Sequence, residues 1–236
     1  MEIILHRCGT NGKINKKSLL RAVSSPEVDT IELDFVQAKN LEFVCSHSKM
    51  CDRGLISSLD KDEICKADLM FLEDILELVN GDKKVLLDFK DAPDRFFVIQ
   101  HLWEIIKKYG FEDKVMIQSF NKEFIRSVLS LKKIGLFTEV EIGLIINLFK
   151  TFHYRNGMTN FNDLDFVSLS SELFEWPIVG NDYQSYRNML PDTKQYAWTW
   201  APPYTEKEER LINYIDSGVD GIITNDPIKV KKLLNK

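Results

Sequence analysis

Short apolar runs typical of β-strands alternate along this chain with longer segments whose apolar positions repeat as they do on a helix. Residues 30–35 (TIELDF) alternate polar and apolar positions, and residues 84–89 (KVLLDF) form a similar run. Residues 71–79 (FLEDILELV) have the spacing of an amphipathic helix, and Asn80-Gly81 follows them as a stop signal. The pattern therefore indicates a chain of alternating strands and helices.

The same criteria predict the remaining elements. Further strands are predicted at residues 3–6, 115–120, 134–137, 165–170, 194–200 and 221–224. Further helices are predicted at residues 18–23, 96–109, 122–131, 182–190, 206–217 and 227–234. Residues 140–152 fit a strand, a helix or both.

About eight β/α units in succession imply a parallel sheet. We expect a closed TIM (β/α)8 barrel rather than a doubly wound sheet, because no Gly-rich dinucleotide fingerprint follows the first strand. The 236 residues are close to the ~250 typical of one such barrel, which predicts a single domain over residues 1–236. Residues 41–46 follow strand two as a partner strand, so a small β-hairpin excursion is expected there.

Composition narrows the class of protein. With 44% hydrophobic and 28% charged residues, the chain is typical of a soluble globular protein. A net charge of −5 argues against a nucleic-acid partner, since binding to phosphate backbones relies on Lys and Arg. No apolar run reaches the ~18 residues that span a bilayer. The first residues lack the features of a signal peptide, so we expect a cytoplasmic protein.

In that compartment, the cysteines are expected to be thiols. They are Cys8, Cys45, Cys51 and Cys65. The grouping Cys45-x-His47-x3-Cys51 could suggest zinc, but its spacing fits no common finger or ribbon, and free thiols are favoured.

Polar residues that can do chemistry stand at the ends of the predicted strands, where the catalytic groups of such barrels lie. Glu32 and Asp34 share one side of strand two, and Asp88 and Lys90 share one side of strand three. Taken singly, each is more often a solvated or salt-bridged rim residue. Together, three inward carboxylates would repel one another unless a cation neutralised them. Oxygen ligands favour a hard cation, Mg²⁺ or Ca²⁺.

Basic and titratable residues accompany these carboxylates. Arg7 and Lys90 beside a cation would bind an anion, most simply a phosphate. His6 ends strand one and His47 ends the hairpin strand, so the two could supply an acid and a base near neutral pH. A lone histidine is more often structural, and the hypothesis depends on the two occurring together with the carboxylates.

These residues, in this order, resemble the glycerophosphodiester phosphodiesterases nearly from end to end. His6-Arg7 matches the opening His-Arg-Gly of that family, Glu32-Leu33-Asp34 its Glu-x-Asp, and Asp88-Phe89-Lys90 its Glu-x-Lys. The other matching segments are Asn15, residues 43–47 (FVCSH), residues 71–79, residues 118–120 (QSF), Trp198-Thr199 and residues 218–227 (GVDGIITNDP).

The chain also departs from the family pattern at several positions. The family's Gly after His-Arg is Cys8, and the third metal carboxylate is Asp88, one methylene shorter than Glu. The remaining departures are Ile14 for the Glu before Asn15, Asn40-Leu41 for Asp-Gly, Ser48 for the Asp after the second His, and Ala201 for the Asn after Trp-Thr. They leave the acid–base pair and the ligand set in place.

The resemblance implies hydrolysis of a small-molecule phosphodiester to glycerol 3-phosphate and an alcohol. Glu32, Asp34 and Asp88 would hold one divalent cation. Arg7 and Lys90 would bind the phosphate, and His6 and His47 would be the acid–base pair. Trp198 would line the alcohol side together with Phe120, Trp200 and Tyr204, although ordinary rim packing explains Trp200 equally well. Two alternatives remain: a barrel that binds headgroups without turnover, and an enzyme similar to lysophospholipase D or sphingomyelinase D.

Overall fold

Parallel strands close into a ring in a computed structural model that describes residues 1–10, 13–91, 95–147, 163–175, 182–198 and 206–236. The strands are β1 (Glu2–His6), β2 (Thr30–Gln37), β3 (Phe43–Cys45), β4 (Met50–Cys51), β5 (Gly54–Leu55), β6 (Lys84–Asp91), β7 (Val115–Ser119), β8 (Glu141–Ile146), β9 (Phe166–Ser170), β10 (Lys194–Trp198) and β11 (Gly221–Thr224). The ring runs β1-β2-β6-β7-β8-β9-β10-β11, and β1 closes it by pairing with both β2 and β11. The predicted eight-stranded barrel is therefore confirmed.

In the described residues, helices lie between consecutive barrel strands, except between β8 and β9, and cover the outside of the ring. They are α1 (Lys16–Val23), α2 (Lys61–Lys66), α3 (Leu72–Val79), α4 (Phe96–Lys108), α5 (Lys122–Lys133), α6 (Glu172–Glu175), α7 (Tyr183–Met189), α8 (Glu208–Ser217) and α9 (Pro227–Leu234). The predicted stop signal at Asn80-Gly81 acts as expected, because Asn80 takes a left-handed conformation at the end of α3, and Gly218 does the same at the end of α8. No helix in the described ranges has both the length and the apolar character needed to cross a bilayer.

The predicted hairpin excursion lies outside the ring. β3 runs antiparallel to β2, with Phe35 opposite Cys45 and Gln37 opposite Phe43. A second small hairpin, β4 with β5, follows it and was not predicted. Together they carry the chain over the mouth of the barrel next to β2.

The prediction of a strand at residues 134–137 is wrong. Gly135 and Phe137 have φ values of +98° and +55°, so this segment is a turn that follows α5. Its apolar character comes from Phe137, which is buried and packs on Trp103 with ring centroids 4.9 Å apart. The barrel strand is β8, which begins at Glu141, inside the stretch whose pattern was ambiguous.

Side chains along each barrel strand point alternately outward and inward, so the buried residues form two separate layers. Outward residues such as Leu33 and Leu87 pack against the helices. One cluster fills the inside of the ring, and its members are Ile4, Leu86, Met116, Phe166, Tyr196 and Ile223. Each of these is at most 6% exposed. The barrel is therefore plugged at this level, and polar inward positions occur above it.

Gly143 on β8 makes room for this plug. A Cβ on Gly143 would lie 2.2 Å from the Phe166 ring, which is closer than any real carbon contact. We expect Gly143→Ala to reduce the free energy of unfolding by about 1–3 kcal/mol, the usual cost of overpacking a core. Urea denaturation followed by circular dichroism measures it.

The control for this prediction is a double-mutant cycle with Phe166→Leu. The smaller side chain should relieve the clash, so Gly143→Ala should cost less in the Phe166→Leu background than in the wild type. Equal costs in the two backgrounds would contradict the packing of Phe166 on Gly143.

Candidate active site

The polar ends of β1, β2 and β6 meet at one mouth of the barrel because the three strands are neighbours in register. His6 on β1 pairs with Glu32 on β2, and Asp34 on β2 pairs with Asp88 on β6. Matching positions on adjacent strands point to the same face of a sheet. The structure therefore brings together the carboxylates and the first histidine that the spacing singled out.

The carboxylates form a tight buried group. Glu32, Asp34 and Asp88 are each 2–3% exposed, and one oxygen of each lies within 4.8 Å of the others. Lys90 contacts two of them: its Nζ lies 2.9 Å from Asp34 Oδ1 and also pairs with Asp88. Arg7 Nε lies 2.5 Å from Asp34 Oδ2.

A β-bulge places Lys90. Phe35 pairs with Phe89, but the next residue of β2, Val36, pairs with Asp91, so Lys90 is the extra residue on β6. Bulges commonly re-aim a side chain near an active site. Here the ammonium group lies between two carboxylates, and the same lysine lies over the Phe120 ring, 5.8 Å from its centroid.

The charge of this group shifts its titration. Burial, followed by the repulsion of Asp34 and Asp88, raises the pKa of Glu32 well above its usual range. Burial also raises the pKa of Asp88 to about 6, even though Lys90 opposes the shift. Burial pushes the pKa of Asp34 in the same direction, but Lys90 and Arg7 outweigh it, and that pKa is lowered. Two of the three acids therefore hold protons more tightly than free carboxyl groups do.

The three carboxylates fit a divalent cation. Asp88 Oδ1 is buried without a hydrogen-bond partner among the described residues, beside two further carboxylates. When all are ionised, the three carboxylates with Arg7 and Lys90 carry one net negative charge. A divalent cation would turn this into one net positive charge, which complements the single negative charge of a phosphodiester. All-oxygen donors suit a hard ion such as Mg²⁺ or Ca²⁺.

The turn that follows β1 positions Arg7 beside the carboxylates, and its residues have left-handed backbone conformations. Arg7, Cys8 and Gly9 have φ values of +48°, +52° and +66° in the 3₁₀ turn that follows β1. The turn lets the backbone N–H of Arg7 donate to Glu32 Oε2 at 3.2 Å, while its guanidinium contacts Asp34. Cys8 is 1% exposed, and burial, followed by the charge of Glu32, raises the pKa of its thiol to about 12. It is therefore a packed, protonated thiol.

His6 stands beside the carboxylates, and its two ring nitrogens face different groups. Nδ1 lies 3.0 Å from Asn225 Oδ1, and Nε2 lies 3.9 Å from Glu32 Oε2. Burial, followed by the charge of Arg7, lowers the pKa of His6 to about 4. The imidazole is therefore neutral at pH 7.

His47 lies on the rim of the same mouth. It lines a cavity of about 270 Å³ together with Arg7, Asp34, Cys45 and Cys51. His47 is exposed, although partial burial lowers its pKa. The cavity connects the second histidine to the carboxylate group. The four cysteines are free, and within the described ranges the cluster of possible metal ligands is the carboxylate group.

Aromatic side chains form the opposite side of the mouth. Trp198 donates from Nε1 to the Ser168 carbonyl at 3.2 Å and meets Phe120 edge-on at 6.0 Å between centroids. Ser168 Oγ in turn donates to Gln118 Oε1 at 2.7 Å. Trp198 is thus held in one orientation. The predicted partners Trp200 and Tyr204, and the atypical Ala201, lie outside the described residues.

Sequence reasoning missed two residues near His6. Asn225 had been noted as part of a matching segment and Glu206 as the start of a helix, without a role for either. Glu206 is buried and accepts hydrogen bonds from the Thr224 hydroxyl and from the Asn225 backbone N–H, the latter at 3.2 Å. The closure of the barrel could have indicated Asn225. In a closed barrel β11 lies beside β1, so the residue after β11 must lie near His6.

Comparison with known proteins was made by sequence and by structure. No protein-family profile matches the chain. A glycerophosphodiester phosphodiesterase from Caldanaerobacter subterraneus subsp. tengcongensis is 26% identical over 266 residues, covering 99% of this chain and 98% of the relative. The resemblance to the glycerophosphodiester phosphodiesterases is thereby confirmed.

Solved structures agree in fold with this resemblance. A glycerophosphodiester phosphodiesterase from Parabacteroides distasonis has a TM-score of 0.77 at 16% identity, with 99% of this chain and 96% of that one covered. One from Thermotoga maritima has a TM-score of 0.70 at 19% identity, covering 98% and 97%. A phosphodiesterase from Oleispira antarctica, solved with the product sn-glycerol-3-phosphate, has a TM-score of 0.76 at 15% identity, covering 100% and 97%.

Several departures from the pattern of the glycerophosphodiester phosphodiesterases lie in described turns and loops. Cys8 takes a left-handed conformation, which a glycine would adopt without strain, in the turn that carries Arg7. Asn40 and Leu41 also have positive φ values, in the turn between β2 and β3. Ser48 accepts a hydrogen bond from the Met50 N–H next to His47. Cys8, Asn40, Leu41 and Ser48 therefore lie in turns and loops, whereas the departure at Asp88 is itself one of the three clustered carboxylates.

The titration of the carboxylates predicts how metal ions affect stability. With a folded pKa of about 6 against an ordinary 3.8, Asp88 stabilises the metal-free fold at low pH and loses that contribution as pH rises through 6. A cation that displaces these protons should help most above pH 6. An ion concentration of 100 times the Kd at pH 7.5 should raise the free energy of unfolding by about 2.7 kcal/mol at that pH. The same concentration of Mg²⁺ or Ca²⁺ should raise it clearly less at pH 5, where protons compete for the carboxylates. Thermal unfolding at both pH values measures it.

Asp88→Asn and Asp192→Asn form the matched pair for this test. Asp192 is exposed and lies just before β10, at the end of that strand opposite the mouth. Its variant should therefore keep the metal-induced rise in Tm. The Asp88 variant should lose most of it. Equal rises in wild type and Asp88→Asn would show that the cation binds elsewhere.

Proposed function

We propose that this protein hydrolyses glycerophosphodiesters to glycerol 3-phosphate and an alcohol with the help of one divalent cation. The observation that carries the proposal is the convergence, at one mouth of the barrel, of three carboxylates, two basic side chains and two histidines. The sequence relative named for this activity and the product-bound phosphodiesterase from Oleispira antarctica support the same choice of substrate class.

Glu32, Asp34 and Asp88 would hold the cation, and Mg²⁺ or Ca²⁺ fits their oxygen donors. When bound, such a cation neutralises charge that develops on the phosphodiester oxygens. Arg7 and Lys90 flank the carboxylates and would hold the phosphate in place against the same charge. Their present ion pairs with Asp34 keep both side chains pointed toward the mouth.

His6 and His47 would exchange protons with the substrate. In the first step, one imidazole takes the proton of the glycerol 2-hydroxyl as that oxygen bonds to phosphorus. The other, which has first taken up a proton from solvent, gives that proton to the departing alcohol as its P–O bond breaks. The resulting cyclic phosphate is then opened by water with the two roles exchanged. The lowered pKa of each histidine keeps a neutral base available at pH 7.

The aromatic side of the mouth would receive the alcohol. Trp198 and Phe120 present ring faces and edges next to Lys90, which suits the apolar part of a leaving group. We place the reaction in the cytoplasm, which the four unpaired cysteines support. We also propose that residues 1–236 form a single domain.

Replacement of the histidines tests the chemistry. His6→Ala and His47→Ala should each lower kcat roughly 10²–10⁴-fold, the usual contribution of a general acid or base. The assay is release of glycerol 3-phosphate from glycerophosphocholine, glycerophosphoethanolamine and glycerophosphoglycerol, with Mg²⁺ or Ca²⁺ and with EDTA.

His101→Ala is the control, since His101 stacks on Phe43 outside the mouth and should keep wild-type turnover. EDTA should abolish activity, and added metal should restore it. Wild-type rates in both site variants would refute the acid–base assignment. Substrate-induced thermal stabilisation without any product would instead favour a barrel that binds headgroups without turnover.

The aromatic side gives a separate prediction. Trp198→Ala should lower kcat/KM several-fold, and more for a bulky apolar alcohol than for glycerol, because only the former loses buried contact area. Trp198→Phe should retain much of the difference between substrates. A loss that is the same for every alcohol would place the alcohol elsewhere.

A further inference from the structure

The ring nitrogens of His6 are not equivalent in this structure. Nε2 faces the carboxylate group, 3.9 Å from Glu32 Oε2, whereas Nδ1 faces away from it, 3.0 Å from Asn225 Oδ1. An amide oxygen only accepts hydrogen bonds, so the contact requires a proton on Nδ1. A neutral imidazole carries one proton, and its lone pair is then on Nε2, toward the carboxylate group.

The closure of the barrel brings Asn225 to this position. Leu5 on β1 pairs with Thr224 on β11, so the residues that follow them, His6 and Asn225, leave the two strands side by side. The contact joins residues 219 apart in sequence. The carbonyl of Asn225 also lies against the turn after β1, 3.9 Å from where a Cβ on Gly9 would be.

Glu206 fixes the backbone of Asn225. Its carboxylate is buried at 5% exposure and accepts from both the Asn225 N–H and the Thr224 hydroxyl. Such hydrogen bonds to an ionised acceptor are stronger than those between neutral groups. On the other side, Thr224 Oγ1 accepts from the Asp226 N–H at 2.9 Å, and Asp226 caps α9. Lys229 closes the loop by donating to the Glu206 carbonyl at 3.0 Å.

From these contacts we infer that Asn225 is a positioning residue that holds His6 in the tautomer with Nε2 free toward the reacting phosphodiester, and that Glu206 holds Asn225 in place. The inference deepens the proposed function and rests on it only for its effect on turnover. It also assigns the atom through which His6 gives or takes its proton, namely Nε2.

Loss of the amide oxygen should release the ring. In Asn225→Ala, Nδ1 has no acceptor in this place, whereas a proton on Nε2 can be donated toward Glu32. The tautomer should therefore shift toward the form with a proton on Nε2. In that form, Nε2 has no lone pair with which to accept a proton from the substrate. Groups that orient a metal-bound histidine through its other ring nitrogen are worth about 10–100-fold, and we expect a loss of similar size here.

The test uses the full chain with ¹⁵N-labelled histidine in Mg²⁺ at pH 7.5, and reads the two nitrogen shifts of His6 from long-range ¹H–¹⁵N spectra. The His6 signals are those that disappear in His6→Ala. Wild type should show a protonated Nδ1 and a free Nε2, and Asn225→Ala should show mainly the reverse. In the same variant, kcat on glycerophosphocholine should fall roughly 10–100-fold, with KM changed less than about threefold.

Asn225→Asp is the conservative variant. A carboxylate oxygen is also purely an acceptor, so this variant should keep the wild-type tautomer and recover most of kcat. If the amide instead presents its nitrogen to His6, Asn225→Asp will reverse the tautomer, and the inference is overturned. Asn213→Ala, at an exposed position on α8, is the matched control and should match wild type in both readouts.

Glu206→Gln tests the second half of the inference. The amide directs hydrogens at groups that are themselves donors, so the loop should loosen, the tautomers should mix, and kcat should fall less than in Asn225→Ala. Wild-type spectra and turnover in this variant would remove Glu206 from the arrangement. Circular dichroism of each variant separates a local effect from a failure to fold.

The spectra and the turnover assay can fail independently. An unchanged tautomer in Asn225→Ala overturns the positioning role, whatever the activity. A tautomer that responds as expected, in a protein that releases no glycerol 3-phosphate from any substrate, upholds the positioning of His6 and refutes the proposed function.

Discussion

Three buried carboxylates share one mouth of this barrel, and their mutual repulsion is the constraint that the surrounding structure answers. At the 4.8 Å that bounds their separation, each ionised pair would cost roughly 3–4 kcal/mol in a medium of effective dielectric constant 20. Two unusual backbone features bring compensating charge: the bulge on β6 that carries Lys90, and the left-handed turn after β1 that carries Arg7. The remaining imbalance raises the pKa of Glu32 and Asp88, and the three carboxylates form a group that could hold a metal ion.

Features that depend on local periodicity were predictable from the sequence. The i, i+2 spacing of Glu32 and Asp34 specified a shared face, and the alternation of strands and helices specified the barrel, since both follow from the geometry of short segments. Features that depend on which distant strands become neighbours were not. The role of Asn225 needs the pairing of β11 with β1, and the failure at residues 134–137 arose because a buried Phe137 in a turn has the same apolar signature as a strand.

The site also shows how stability and function compete in this fold. The turn holds Cys8 at φ +52° and Arg7 at φ +48°, conformations that cost non-glycine residues roughly 1–2 kcal/mol each. Glu32 and Asp88 are buried where their charged forms are disfavoured. Both features lie at one mouth, above a well-packed apolar layer, and backbone strain of this kind is common at functional sites.

That apolar layer has a kinetic consequence. Phe166, Tyr196 and their neighbours fill the ring below the carboxylates, so the described part of the barrel offers no passage through its centre. Whatever binds above the plug must enter and leave by the same mouth, past His47 on the rim. Under the proposed function, substrate, alcohol and phosphorylated product would share this one route and exclude one another. The product held by the charged side chains Arg7 and Lys90 would then be expected to leave last.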